Sequence, residues 1–226
     1  MNTRKAPEPA APFIKICGLT TLADARVAAE AGADYLGFNF TNTSKRRVEL
    51  VRLQEWWADL PANIKRVALF QDQSIAEITQ VLQTFDMDVV QFHGAESAVF
   101  CTSFGLPYWK AIAMRNEHSL ADAAKEHGGA AAFLLDTVIT GKDGSQVSGG
   151  TGHVFDWSLW PAIARESATP LILAGGLSSA NVAQAIKATQ PWMVDVASGV
   201  ESSPGVKSSE KIQQFCHEVR GVRESQ

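Results

Sequence analysis

The 226 residues are 46% hydrophobic and 19% charged, the balance of a chain that folds around a core in water, so disorder is excluded as its main state. Twenty Lys and Arg against twenty-four Asp and Glu give a formal charge of −4, and no basic run is long enough to track a nucleic-acid backbone. Cys17, Cys101 and Cys216 are an odd number at wide spacing, which fits neither a disulfide framework nor a Cys-x-x-Cys metal site and points to a reducing, cytoplasmic setting.

Residues 1–12 form a Pro/Ala-rich leader without the apolar stretch of a signal peptide, and no run of eighteen apolar residues is present to span a membrane. Beyond it, short apolar runs alternate with longer stretches of helical spacing. Strands are expected at Phe13 to Ile16, Tyr35 to Phe38, Arg66 to Phe70, Asp88 to Phe92, Trp109 to Ile112, Ala131 to Leu135, Leu171 to Ala174 and Met193 to Ala197. Helices are expected from near Leu22, Leu50, Ile75, Glu96, Ser119, Trp157, Ala180 and Ser208. Thr20 or Thr21, Ser74, and Ser178 or Ser179 are candidate N-caps. Eight such units predict an α/β chain closed into a single (β/α)8 TIM barrel, a catalytic domain over residues 13–220 with a tail at 221–226. A doubly wound sheet would carry a glycine-rich dinucleotide fingerprint after the first strand, where Cys17-Gly18-Leu19-Thr20 stands instead.

In a parallel barrel the chemistry sits at the carboxyl ends of the strands. The residues there are Cys17, Asn39, Gln71 and Asp72, Gln91 and His93, Asp136, Gly175-Gly176, and Asp195 with Ser198-Gly199. A thiol and a carboxyl across one barrel mouth can act as general base and general acid. Cys17 would serve as a thiolate were its pKa lowered by nearby positive charge such as Lys15 or the phosphate-binding helix end; the bland reading is a small buried hydrophobe. The paired glycines after strands seven and eight suit an anion held by backbone N–H groups, so phosphate is expected at Gly175, Gly176, Ser198 and Gly199. Gly149-Gly150-Thr151-Gly152 reads as a cover or a linker, and Arg46 or Arg47 can clamp a carboxylate bidentately. Five scattered histidines do not support a metal site, and none is expected.

Six ordered motifs then resemble phosphoribosylanthranilate isomerases. They are Lys15-Ile16-Cys17-Gly18-Leu19-Thr20, Gln91-Phe92-His93-Gly94, Leu134-Leu135-Asp136-Thr137, Gly149 to Gly152 with Phe155-Asp156-Trp157, Leu173 to Leu177 with Asn181-Val182, and Val194 to Glu201 with Pro204-Gly205 and Lys207. The resemblance implies a cofactor-free aldose-ketose isomerase of tryptophan biosynthesis. Its reaction is the Amadori rearrangement of N-(5-phosphoribosyl)anthranilate to 1-(2-carboxyphenylamino)-1-deoxyribulose 5-phosphate. It implies Asp136 as the acid that opens the furanose ring, Cys17 as the base that takes the C2 proton, and Arg46 as the holder of the anthranilate carboxylate. Lys15, Gln91, His93 and Asp195 are taken as further substrate-binding residues.

The second loop departs from the family pattern: Thr41-Asn42 and Ser44-Lys45-Arg46 stand where relatives have an aromatic, a proline and Ser-Pro-Arg, which leaves Arg47 as an alternative to Arg46. Two other readings compete. The related aminosugar isomerase of histidine biosynthesis has an aspartate at each of two equivalent strand ends, against Cys17 here. An inactive barrel serving as a binding partner should have lost Cys17 or Asp136. The expected partner is a small phosphorylated aminosugar, with no nucleic acid and no membrane, and the expected state is a monomer.

Overall fold

The computed structural model describes residues 11–114, 119–140, 146–148, 157, 160 and 167–222. The leader to residue 10, the glycine loop at 149–152 and most of the helix expected near Trp157 lie outside the described residues.

Alternation of apolar runs and helices produces β1 (Phe13–Cys17), α1 (Leu22–Glu30), β2 (Tyr35–Asn39), α2 (Leu50–Trp56), β3 (Lys65–Phe70), α3 (Ile75–Thr84), β4 (Val89–Phe92) and α4 (Ala98–Thr102). These are followed by β5 (Tyr108–Met114), α5 (Ser119–Glu126), β6 (Ala132–Thr140), β7 (Gln146–Ser148), β8 (Leu171–Leu173), α6 (Val182–Thr189), β9 (Met193–Val196), β10 (Glu201–Ser203), β11 (Val206–Lys207) and α7 (Ser209–Gly221). Eight strands pair in parallel in the ring β1-β2-β3-β4-β5-β6-β8-β9, closed by the β9–β1 pair. Closure leaves no sheet edge, and the chain is the expected (β/α)8 barrel.

Period-two alternation sorts each strand into two faces. Ile14, Ile16, Leu36, Phe38, Phe70, Phe92, Phe133 and Leu135 face outward into the large core under the helices. Val67, Val89, Trp109, Ala132, Leu134, Ile172, Ala174 and Met193 fill the barrel itself. The same alternation sends Gln91, Asp136 and Asp195 inward two residues above Val89, Leu134 and Met193, and Lys15 and Cys17 two and four above Phe13, which packs against that plug.

Helix starts follow side-chain chemistry. Thr21 caps α1 by accepting from Asp24 N, and Ser74 and Glu77 form a reciprocal capping box on α3, an arrangement that stabilises a helix by about 1 kcal/mol. The expectation at Ser178 or Ser179 is corrected: Asn181 occupies the cap position of α6, and its Oδ1 accepts from Ser178 N at 2.8 Å, folding the preceding loop instead. The helix expected from Glu96 begins at Ala98 under a Ser97 cap, because the Glu96 carboxylate is committed elsewhere. Two short hairpins stand outside the expected pattern. β6 continues past Leu135 to Thr140 and pairs antiparallel with β7, and β10 pairs with β11. At the carboxyl end α7 runs to Gly221, and Val222 is buried behind it.

Candidate active site

A cavity of about 700 Å³ opens at the carboxyl end of the barrel, and its walls carry Cys17, Arg46, Gln91, His93, Asp136, Gly175, Gly176, Asp195 and Ser198. Two residues expected to touch a ligand do not line it. Lys15 is fully buried beneath the floor, and Gly199 lies behind the wall. A Cβ on Gly199 would stand 1.8 Å from the Leu177 carbonyl oxygen, so this glycine permits two loops to pack rather than opening toward the cavity. Arg47 is exposed and stands apart from the cavity wall, which separates it from Arg46.

Cys17 and Asp195 belong to the floor, and Lys15 lies directly beneath them. Lys15 and Asp195 face each other in register across the β1–β9 pair, and Lys15 Nζ donates to Asp195 Oδ1 at 2.9 Å. Cys17 follows two residues on, on the same face as Lys15. Gly37, its partner on β2, makes the room: a Cβ there would fall 3.0 Å from both Cys17 Sγ and Lys15 Cε. Burial opposes the charge on Lys15, but Asp195 and Cys17 outweigh it and hold the ammonium above its ordinary pKa. For Cys17 the balance runs the other way. Burial raises the thiol, Lys15 pulls it down without compensating fully, and the net position is above the ordinary value. Lys15 pulls the thiol in the direction the sequence suggested, but desolvation of the thiolate exceeds the attraction of the nearby ammonium groups, so the net shift is upward.

Across the mouth Asp136 stands within β6, its backbone paired with Ala113 of β5. Its Oδ2 lies 3.4 Å from His93 Nε2, and Gln91 Nε2 lies 3.5 Å from His93 Nδ1. Gln91 Oε1 is buried without a hydrogen-bond partner, as is Thr41 Oγ1, another wall residue. Unpaired buried polar atoms are uncommon in folded proteins; of the six such side-chain atoms among the described residues, these two belong to the wall of the cavity.

At one end of the cavity Gly175 and Gly176 adopt positive φ angles of 83° and 65°, which an L side chain resists. Ala174 N–H still donates to Leu135 O, whereas among the described residues the N–H groups of Gly175 and Gly176 have no protein acceptor. Asn181 pins this loop from both sides, accepting from Ser178 N and donating to Gly176 O. A turn of 3-10 helix at Ser198–Val200 completes that end.

Arg46 enters the wall from the loop after β2. Asn39 folds the loop beneath it: its Oδ1 accepts from Thr41 N, its Nδ2 donates to Ser44 Oγ, and Ser44 Oγ in turn accepts from Arg46 N. Arg46 Nε and Nη2 donate to the two oxygens of Glu201 at 2.6 and 2.9 Å. Glu201, which sequence reasoning left without a role, also accepts from Lys207 Nζ and Gly205 N. Burial raises its carboxyl, but the two cations prevail and hold it below the usual range. The sole sequence signal for this cluster was the Glu201 to Lys207 motif, because Arg46 lies 155 residues away in the chain. Among the described residues no group of three or more His, Cys, Asp or Glu side chains is placed to hold a metal ion, and no helix is long and apolar enough to cross a membrane.

Comparison with known proteins gives this geometry a context. Residues 14–218 match the family described as N-(5'phosphoribosyl)anthranilate (PRA) isomerase. An N-(5'-phosphoribosyl)anthranilate isomerase of Pseudomonas putida (strain W619) is 42% identical over 206 residues, covering 91% of this chain and 96% of that one. The crystal structure of phosphoribosyl anthranilate isomerase from Thermotoga maritima superposes with a TM-score of 0.81 at 35% identity, covering 93% of this chain and 99% of that one. A further phosphoribosyl anthranilate isomerase, solved in complex with reduced 1-(o-carboxyphenylamino)-1-deoxyribulose 5-phosphate, matches at a TM-score of 0.79 and 32% identity over 93% of this chain and 99% of that one. A match that runs through every barrel strand, at this level of identity, makes the chain a member of the phosphoribosylanthranilate isomerase family.

Proposed function

We propose that this protein isomerises N-(5'-phosphoribosyl)anthranilate to 1-(2-carboxyphenylamino)-1-deoxyribulose 5-phosphate in tryptophan biosynthesis, with Asp136 as general acid and Cys17 as general base. The observation that carries the residue assignment is the placement of one thiol and one carboxyl, from β1 and β6, on the wall of a single cavity.

Asp136 donates its proton to the furanose ring oxygen, the C1–O bond breaks, and the ring opens to a Schiff base. Cys17 then takes the proton from C2, and the resulting enolamine tautomerises to the ketose. His93, 3.4 Å from Asp136, orients the acid. Lys15 stays below the floor, where its charge favours the ionised form of Cys17 before that thiolate accepts the C2 proton. Asp195 fixes Lys15 and faces the sugar hydroxyls, and Gln91 offers its unpaired Oε1 to the same sugar.

The substrate is anionic at both ends, and the cavity suits that. The N–H groups at Gly175 and Gly176, with the turn at Ser198, receive the phosphate without any lysine or arginine in either loop. Arg46 receives the anthranilate carboxylate. The catalytic unit is the barrel of residues 13–220, acting as a monomer in the cytoplasm without a metal or cofactor. Purified protein mixed with phosphoribosylanthranilate should extinguish the anthranilate-type fluorescence; persistence of that fluorescence would overturn the assignment.

A further inference from the structure

We propose that Glu201 is a positioning residue for substrate recognition: it holds the Arg46 guanidinium by one edge so that the other edge faces the cavity and receives the anthranilate carboxylate. The proposal rests on the reading of Arg46 as the carboxylate site and concerns what makes that site competent.

A guanidinium presents N–H groups along two forked edges, one formed by Nε and Nη2 and one by Nη1 and Nη2. Glu201 occupies the first edge with both carboxylate oxygens, at 2.6 and 2.9 Å. Arg46 is therefore paired yet not consumed, because the Nη1/Nη2 edge stays available for a second, bidentate carboxylate. Its aliphatic stem is fixed as well. Gly18, at φ +75°, lies so close that a Cβ there would stand 2.7 Å from Arg46 Cδ.

Charge points the same way. Glu201 is buried with two cations against it, Arg46 and Lys207, and the Lys207 side chain is fully buried. Glu201 is the one carboxylate shared by Arg46 and Lys207 beside the cavity, so an incoming carboxylate meets more cationic than anionic partners there. Glu201 itself is tied down from three further directions. Gly205 N donates to its Oε2, Lys207 Nζ to its Oε1, and Lys211 Nζ to its backbone oxygen at 2.6 Å. Lys207 also donates to Ala197 O, so the carboxylate anchor is braced against the strand end that leads into the phosphate loop. A surface ion pair would lack this bracing and would leave the arginine to rotate among rotamers.

Glu201→Gln keeps the shape and removes the charge and the bidentate hold. The expected result is a KM for phosphoribosylanthranilate raised about tenfold or more, with kcat within about threefold of wild type. Competitive inhibition by inorganic phosphate should stay within about threefold of wild type, since the phosphate end is untouched. In an Arg46→Ala background the same substitution should add less than about twofold to KM, as a residue acting through Arg46 requires. Additive losses, a fall confined to kcat, or an equal loss of phosphate inhibition would overturn the proposal. Should Glu201→Gln not fold, Glu201→Asp keeps the charge and withdraws it by one methylene, and the same KM-directed loss is expected. Wild-type turnover is measured alongside. Its absence would sink the functional reading, whereas normal wild-type turnover with an unaltered KM in the Glu201 variants would sink this inference alone.

Discussion

Two buried lysine–carboxylate pairs lie on opposite sides of the same sheet. Lys110, within β5, donates to the Gly94 carbonyl and to Glu96, and Glu96 also accepts from Asp72 N and Gly94 N. Asp72, held at a φ of 54°, accepts from Ala95 N in turn. This outer pair is saturated by backbone groups and knits together the ends of β3, β4 and β5 away from the cavity. The inner pair, Lys15 and Asp195, has a thiol beside it and a cavity above it. Burial and charge are shared by the two pairs, so neither property identifies function. What surrounds the charge decides: backbone partners indicate architecture, and a reactive group beside an open cavity indicates chemistry.

The comparison can be broken by substitution. The largest effect should come from the group the inner pair serves: Cys17→Ser should lower kcat by about 10²- to 10⁴-fold with a small change in KM, measured by steady-state kinetics. Arg46→Ala should instead raise KM and lower kcat/KM. Replacing the inner pair by neutral groups, Lys15→Met with Asp195→Asn, should lower kcat/KM by about 10²-fold while Tm stays within a few degrees, because no charge is left unpaired. For the outer pair the pattern reverses. Lys110→Met leaves the buried Glu96 carboxylate with its backbone N–H donors but no cation and should destabilise the fold by about 3 kcal/mol in denaturant titration, with kcat of the folded protein within about threefold of wild type. A stable but inactive Lys110→Met would erase the distinction drawn here.

Titration sharpens the same contrast. Burial holds the Cys17 thiol above its ordinary pKa, so the thiolate fraction, and with it kcat/KM, should keep climbing as pH rises through the ordinary thiol range and beyond it. Lys15→Met removes a charge that lowers this pKa and should push the limb to higher pH, whereas Lys110→Met should leave it in place. Cys101, beside the outer pair, gives the smallest effect. Burial lifts its thiol from 9.0 to about 12, so the folded state keeps a proton that the unfolded chain releases. That contribution to stability is complete below pH 9 and is lost as pH rises toward 12. Tm should fall across that window, less steeply in Cys101→Ala.

Most of the barrel was legible because each of its strands is a short apolar run bounded by turn residues; all eight stand within a residue of their expected starts. The extension of β6 to Thr140 was not, since Thr137 to Thr140 form a strand only by pairing with β7, whose three residues show no periodicity of their own. The β10–β11 hairpin was missed for the same reason. Within the site, residues that follow a strand directly could be found, because strand ends define the mouth. Lys15 was read as touching substrate, whereas its position one inward step below Cys17 buries it under the floor. Glu201 escaped because a buried charge is recognised by its partners, and those lie across the fold.

The foot of the barrel has a practical consequence. Phe13, Tyr35, Trp109 and Trp192 meet there with ring centroids 5.2 to 6.4 Å apart and planes steeply inclined. Their chains come from β1, β2, β5 and the residue before β9, so the rings meet only when both ends of the sequence have closed on its middle. Two indoles at 6.0 Å and 86° form an asymmetric chromophore pair. No tryptophan lines the described cavity at the other end. Near-ultraviolet dichroism of this protein is thus an optical gauge of barrel closure, read at a distance from whatever occupies the mouth.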